Sequence, residues 1–146
     1  MRDLLEAGMA APSACNKDPW HFVVVRDREA LKQLANGLPY GPMLPQAGLA
    51  VVVCGDLQHA HDGLLSYLLQ DCSAATENIL LAAVALGLGG CWLGVHPRED
   101  RIAHVRRVLG IPDTVVPLCV LSLGWPAEEP EARTRYSEPK VHREKW

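Results

Sequence analysis

Polar side chains cluster in one short segment near the start of the chain. Ser13 and Asn16 lie between two prolines in this segment, which reads Ala11-Pro12-Ser13-Ala14-Cys15-Asn16-Lys17-Asp18-Pro19. Serine and asparagine side chains both donate and accept hydrogen bonds, and the prolines restrict the backbone that carries them. A preorganised polar segment of this kind could bind a planar polar ligand. An ordinary helix-to-strand turn accounts for the same residues equally well.

Two arginines near the end of the chain have the spacing of an extended segment. Arg133 and Arg135 are separated by one residue, and side chains two apart on a strand point to the same side. Two guanidinium groups on one side suit a phosphate. For the pair alone, a solvated run of charge is the favoured explanation.

A glycine-rich run at residues 87–90 does not predict a dinucleotide site. The third glycine of the pattern G-x-G-x-x-G would fall at residue 92, which is Trp. The run also follows a predicted helix and precedes a predicted strand, which reverses the order that the motif requires. It is better explained as a helix terminus that leads into a close-approach loop, whose backbone N–H groups could still face a ligand.

Histidine and cysteine pairs offer weak alternatives. His59, His61 and Asp62 are close in sequence, but no third ligand has a matching spacing, so we expect exposed loop histidines and no metal. Cys91 and His96 could form a nucleophile and a base, but the apolar neighbours of Cys91 would suppress its thiolate. We therefore assign no side chain as catalytic.

Length, charge and apolar content exclude several classes of protein. The chain has 146 residues, and we expect one domain that spans residues 1–146. A formal net charge of −3 argues against nucleic acid or an anionic membrane surface as a partner. The longest apolar stretch, residues 79–88, is too short to cross a bilayer and no leader is visible, so we expect a soluble protein.

The cysteines favour a reducing compartment. There are five, an odd number with no C-x-x-C pair, so we expect a cytoplasmic location rather than a disulfide framework. Cys54, Cys91 and Cys119 lie in apolar runs, which predicts that they are buried.

Hydrophobic periodicity and turn residues predict four helices that alternate with four strands. The predicted helices are residues 2–10, 27–35, 63–88 and 97–109, and the predicted strands are residues 21–25, 49–54, 91–93 and 117–123. The long helix is apolar nearly all round from Asn78 onward, so we expect its second half to be buried. The charged residues 127–146 cannot build a core, so we expect a tail that is either disordered or held along another surface by Val141 and Trp146.

Taken together, these motifs resemble the FMN-dependent nitroreductase family. The resembling stretches occur in the family's order and cover nearly the whole chain. They are residues 11–22, residues 78–94 (NILLAAVALGLGGCWLG), residues 109–112, residues 124–128 (GWPAE), and the closing Arg135-Tyr136, Val141-His142 and Trp146.

The resemblance implies an α+β fold with a central mixed or antiparallel sheet around a long core helix. It also implies a homodimer with FMN at the interface and a C-terminal tail that reaches the partner subunit. The cofactor-binding residues that it implies form three groups: Pro12, Ser13, Ala14 and Asn16 from one subunit; Trp92, Leu93 and Gly94 along the flavin ring; and Arg133 and Arg135 at the phosphate.

The function that the resemblance implies is an FMN-dependent oxidoreductase. It would transfer hydride from NAD(P)H to a small electron-poor acceptor, such as a nitroaromatic, a quinone or an enone, by a ping-pong mechanism, and the flavin would carry the chemistry. Two alternatives remain open: a related flavin chemistry such as reductive dehalogenation, and a non-catalytic relative that binds flavin weakly or only dimerises.

Two departures from the family pattern affect the expected strength of FMN binding. Asp18 stands where family members usually carry Gln. The family also begins with a further helix that carries an Arg-Arg-Ser-x-Arg-like segment for the phosphate, and this sequence starts after it. We expect either a piece of a longer protein or a short form with weaker FMN affinity.

Overall fold

Helices and strands alternate along the chain as far as residue 124. In a computed structural model that describes residues 1–128, 131 and 133–146, the order helix, strand, helix, strand, helix, strand, helix, strand confirms the sequence prediction. The helices are α1 (Arg2–Met9), α2 (Arg28–Asn36), α3 (Leu65–Ala85) and α4 (Glu99–Leu109), and the strands are β1 (Trp20–Val25), β2 (Leu49–Asp56), β3 (Gly89–Gly94) and β4 (Val115–Gly124).

The strands form one antiparallel sheet in the order β1-β2-β4-β3. The sequence predicted that β2 and β4 are central, and this is confirmed. Of the two sheet types that the family resemblance allowed, the antiparallel one applies to every pair. β1 and β3 are therefore the two edges of the sheet, on opposite sides of the two central strands.

The sheet separates two apolar layers. Because side chains alternate along a strand, Val51 and Val53 of β2 pack in the layer with α1 and α3, while Val52 packs in the layer with α2 and α4. A strand that is apolar on both faces must be covered on both faces. The α+β fold that the family resemblance implied is confirmed by this arrangement.

Local signals fix the helix ends where the sequence placed them. The Asp27 side chain caps α2 by accepting a hydrogen bond from the Ala30 N–H at 2.8 Å, and Asp is among the preferred residues there. Gly110 closes α4 with φ of +67°, in the left-handed region that favours glycine.

The second half of α3 is buried on one face only, which corrects the prediction that this half is buried nearly all round. Leu81, Val84 and Leu86 are 60%, 71% and 46% exposed. α3 packs on the sheet with one face only, and its opposite face lies open over these turns. The apolar residues in this half of α3 therefore do not indicate that every face of the helix is buried within its own chain.

Strand β3 is also more exposed than predicted, because it is an edge strand. Cys91 is exposed, whereas Cys54 and Cys119 are buried as predicted and Cys72 is buried with them. Burial raises the pKa of each of these three buried thiols to about 12. They are inert core residues.

The described residues after Gly124 form a short 3-10 turn at Glu138–Lys140 and otherwise irregular backbone. Trp146 is fully exposed and Val141 is partly exposed, so neither side chain holds the tail to its own chain. Glu129, Pro130 and Ala132, which belong to the predicted tail, lie outside the described residues. No helix among the described residues is long and apolar enough to cross a membrane.

Candidate functional site

The segment that precedes β1 folds into a tight turn around Ser13–Asn16, which we call the N-terminal turn. Ala14–Asn16 form a 3-10 turn. Cys15, Asn16 and Asp18 have φ of 50°, 54° and 47°, a conformation that is uncommon for residues other than glycine. Such backbone persists only where surrounding contacts hold it, and it is concentrated at functional sites.

Ser13 and Asp18 bond to each other within this segment. The Asp18 N–H donates to the Ser13 hydroxyl oxygen at 3.0 Å, and the Ser13 hydroxyl donates to the Asp18 carboxylate. A serine hydroxyl has one proton and two acceptor positions. Asp18, the residue that departs from the family pattern, therefore uses the only proton of Ser13 and leaves that hydroxyl one free acceptor position.

A buried carboxylate on α3 accepts a hydrogen bond from the backbone of the N-terminal turn. The Ala14 N–H donates to Oδ1 of Asp71 at 2.9 Å, although the two residues are 57 apart in sequence. Sequence reasoning missed Asp71. The available signal was an acidic residue on an apolar helical stripe, three positions after Leu68 and four before Ala75, where an unpaired charge is rare.

A polar cavity of about 690 Å³ opens beside the N-terminal turn. Its lining residues come from the turn and from the segment after β2: Cys15, Lys17, Gln58, His59, Ala60, His61, Asp62 and Gly63. The Cys15 Sγ lies 3.7 Å from Nε2 of His61, and that nitrogen lies 3.5 Å from a carboxylate oxygen of Asp62.

The cavity also contains a histidine that is paired to a carboxylate. The His59 Nδ1 lies 2.9 Å from Oδ2 of Asp56. Burial alone would raise the pKa of the Asp56 carboxyl, but hydrogen bonds from the Gln58 N–H and from His59 lower it below its ordinary value. Among the described residues, no group of three or more His, Cys, Asp or Glu side chains has the geometry of a metal site.

Trp92, Leu93 and Gly94 lie on edge strand β3, and they divide between its two faces. Leu93 is buried in the layer with α2 and α4, so only its backbone can contact a ligand. Trp92 and Gly94 face the α3 side by alternation, and the Trp92 side chain is 39% exposed. A Cβ at Gly94 would meet no atom within 4 Å, so open space lies above that backbone.

The backbone of β3 is fixed at this position although one of its edges is free. β3 pairs with β4 alone, so half of its backbone groups point away from the sheet. An Arg101 Nη1–H donates to the carbonyl oxygen of Gly94 at 2.8 Å. The open edge thus offers backbone N–H groups in a defined orientation.

The structure does not bring the N-terminal turn and β3 together within one chain. The turn leads into β1, and β1 and β3 are opposite edges of a four-stranded sheet, about 14 Å apart at the usual strand spacing. Asp71, which anchors the turn, also lies nine residues before Leu80, which packs against Gly90 of β3. That separation is about 13 Å along the helix.

Arg133 and Arg135 are exposed in irregular backbone. The extended strand that their spacing suggested is not present. Their charge is available to a ligand, but this chain does not hold them beside either of the other two groups of candidate residues.

An apolar face lies exposed on α3, and we call it the α3 face. It consists of Leu81 and Val84, three residues apart on the exposed side of the helix, and the exposed Leu86 follows at the helix C-terminus. Trp125 is 81% exposed and its ring reaches within 4.0 Å of the Cβ position of Gly87, which extends the face. Exposed apolar side chains grouped in this way are a candidate interaction surface.

Comparison with known proteins identifies relatives of the whole chain. The model of the Nitroreductase family matches residues 1–38 and 30–125. The chain is 51% identical to a protein of Archaeoglobus fulgidus provisionally named NADH dehydrogenase/NAD(P)H nitroreductase, with 98% of this chain and 83% of that protein covered. It is 35% identical to the oxygen-insensitive NADPH nitroreductase of Salmonella typhimurium over 82% of this chain and 52% of that protein.

A solved structure extends this similarity to the fold. The chain is 30% identical to the FMN-dependent nitroreductase of Clostridium difficile, with a TM-score of 0.91 and with 99% of this chain and 86% of that chain covered. The match is therefore to an almost complete solved chain.

Proposed function

Because the chain belongs to the nitroreductase family, we propose that it is an FMN-dependent oxidoreductase that transfers hydride from NAD(P)H to a small electron-poor acceptor. The proposed acceptors are nitroaromatics, quinones and enones. The observation that carries this proposal is the family match, because it spans both the N-terminal turn and β3. Relatives named as NADPH nitroreductase and FMN reductase support the same cofactor and reductant.

The chemistry of the exposed groups fits FMN. Trp92 and the open space above Gly94 suit a flat ring, Asn16 offers an exposed amide for its polar edge, and Arg133 and Arg135 suit the phosphate. When bound, FMN supplies the hydride-transfer chemistry, for which none of the protein's side chains is suited.

The proposed active form is a homodimer. The N-terminal turn and β3 lie at opposite edges of the sheet, so one flavin ring cannot contact both groups of the same chain. In a two-fold dimer, the turn of one protomer can face β3 of its partner. The α3 face supports this arrangement, because a second copy would cover apolar surface that is otherwise in water.

The protein's own groups would bind, orient and exclude water. Backbone N–H groups on the open edge of β3 would donate to electron-rich atoms of the ring, and Trp92 would cover part of it. The two arginines would neutralise the phosphate charge. The reductant and the acceptor would occupy the same open space in turn, so oxidised nicotinamide leaves before the acceptor binds, which is a ping-pong order.

The test is the visible absorbance spectrum of the purified, desalted protein, followed by steady-state kinetics. We expect a yellow protein whose released chromophore is FMN by chromatography. With NADPH and a quinone such as menadione, we expect parallel double-reciprocal lines. A protein that stays colourless after incubation with excess FMN would overturn the proposed cofactor, and intersecting lines would overturn the ping-pong order.

A further inference from the structure

Asp71 joins the middle of the chain to the N-terminal turn, and we propose that it is a positioning residue that holds this turn in its ligand-binding conformation. The inference rests on the proposed function, because the turn is the part of the proposed FMN site that Asp71 contacts. Asp71 would not touch the cofactor. It would act through the backbone of Ala14, whose N–H it accepts at 2.9 Å.

Packing does not account for an aspartate at this position. Asp71 is 5% exposed and is the only charged residue in the buried class among the described residues. Its neighbours on the helical stripe are apolar, and an apolar side chain of similar size would fill the space without the cost of burying a carboxylate. The residue is explained by the bond that it makes and not by the core that surrounds it.

The bond constrains backbone that is otherwise poorly held. Cys15 and Asn16 follow Ala14 directly, and both have positive φ. The other side-chain contacts of the segment are both exposed: the Ser13–Asp18 pair spans only five residues, and the Cys15 Sγ lies 3.7 Å from His61. A charge-assisted hydrogen bond from the rigid helix is stronger than a neutral one, and it fixes the turn relative to the sheet and not only to itself.

The second carboxylate oxygen shows that the arrangement is not optimised for stability. Oδ2 of Asp71 is buried and has no hydrogen-bond partner. A buried acceptor without a partner destabilises the folded state. Asparagine would keep the acceptor for Ala14 and remove the charge, so stability and ligand affinity should respond differently to this substitution.

The experiment compares the wild-type protein with Asp71→Asn and Asp71→Ala. FMN affinity is measured by quenching of flavin fluorescence, and the melting temperature and the Ala14 amide resonance are measured in the protein without FMN. We expect Asp71→Ala to weaken FMN binding at least tenfold and to lose the exchange protection of the Ala14 amide. We expect Asp71→Asn to weaken binding two- to fivefold with an unchanged or higher melting temperature.

Thr76→Val is the matched control. Thr76 is equally buried on α3, and its hydroxyl donates to the Cys72 carbonyl at 2.7 Å without reaching the turn. We expect this variant to alter the melting temperature but to leave the Ala14 resonance and FMN affinity at wild-type values. A fall in affinity that follows the melting temperature across all three variants would overturn the proposal, since it would indicate a purely structural role.

A double-mutant cycle tests the bond itself from its other end. Ala14→Pro removes the donor N–H, and Ser13 already has φ of −133° and ψ of 155°, which the residue before a proline accepts. We expect Ala14→Pro to weaken FMN binding in the wild-type background and to have little further effect beside Asp71→Ala, because both changes remove one interaction. Additive effects would refute the anchor.

Failure of this inference and failure of the proposed function are distinguishable. If the wild-type protein binds no FMN, the proposed function fails, while the Ala14 amide still reports whether Asp71 fixes the turn. If the wild-type protein binds FMN and Asp71→Ala binds it equally well, the inference fails alone. If Asp71→Ala does not fold, Asp71→Asn and Ala14→Pro carry the same test.

Discussion

A lysine on the exposed face of α3 should separate the protomers and release the flavin together. Val84 is 71% exposed in the single chain and lies in the last turn of α3, where a positive charge interacts favourably with the helix dipole. Val84→Lys should therefore leave the protomer folded. In the proposed homodimer, the same side chain is buried against a second copy, so its replacement acts on the interface.

The size of the effect follows from the area available for burial. Complete burial of a valine or leucine side chain stabilises by about 1.5–3 kcal/mol, and with most of the Val84 side chain available we take about 1–2 kcal/mol for each copy. A two-fold dimer contains the residue twice, so the loss is about 2–4 kcal/mol before the cost of desolvating two ammonium groups. The dimer Kd should rise by roughly 30- to 1,000-fold.

The assay is sedimentation velocity over a range of protein concentrations, with absorbance recorded for both protein and flavin. Tyr40→Lys is the matched control, because Tyr40 is 74% exposed but lies between Leu38 and Leu44, which pack in the layer with α2 and α4. We expect Val84→Lys to be monomeric at low micromolar concentration and free of flavin, and Tyr40→Lys to behave as wild type.

Two results would refute this reasoning, and they refute different parts of it. A Val84→Lys protein that dimerises as the wild type does would show that the α3 face is not the interface. A monomeric Val84→Lys protein that keeps stoichiometric FMN would show that one chain holds the flavin alone. Circular dichroism establishes that the variant is folded in either case.

Three further predictions concern the tail, the thiols and a helix cap. Alanine at Arg133 or Arg135 should weaken FMN binding about three- to tenfold in fluorescence titrations. Binding of riboflavin, which lacks the phosphate, should be unchanged. An equal loss of affinity for both ligands would exclude a phosphate contact. At pH 8, no more than two thiols, Cys15 and Cys91, should react rapidly with a disulfide reagent in the folded protein. The other three thiols are buried and have pKa values of about 12. Rapid reaction of a third thiol would contradict the assigned burial. Asp27→Ala should lower the free energy of unfolding by about 1 kcal/mol in urea denaturation, whereas Asp27→Asn should preserve it, and equal losses would show that the side-chain cap does not act.

The order of the elements was predictable because local signals determine it. The Asp27 cap and the left-handed Gly110 are properties of neighbouring residues, so they act in the same way in any fold that contains those helices. The apolar runs of β2 and β4 predicted central strands, since a strand without a polar face must be covered on both sides.

Burial of side chains within those elements was less predictable, because it depends on whether another element of the chain packs against the same face. The second half of α3 is as apolar as a core helix, and composition cannot distinguish a face that packs in its own chain from one that remains for another. Cys91 is exposed for the same reason. Its sequence neighbours are apolar, which predicted burial, but β3 is an edge strand and its outer side has no partner strand in this chain.

Two features of the site escaped prediction for opposite reasons. Asp71 carried a usable signal, a charge on an apolar stripe, but its partner is a backbone N–H, which every residue except proline has. The proximity of Cys15 and His61 carried no signal, because 46 residues separate them and only the fold brings the segment after β2 to the N-terminal turn.

The proposed chemistry depends on backbone more than on side chains, which is why no side chain is assigned as catalytic. The N–H group of Gly94 is available because β3 lies at an edge and the backbone of Gly94 faces away from β4. In a central strand, the same N–H group would bond to a neighbouring strand. Its orientation depends on β4 pairing and on the bond from Arg101 to Gly94, and its ligand-facing space depends on the absence of a side chain at Gly94. In the proposed homodimer, the site is therefore specified by the position of a strand in the sheet together with a second copy of the chain, and neither is encoded in any single residue type.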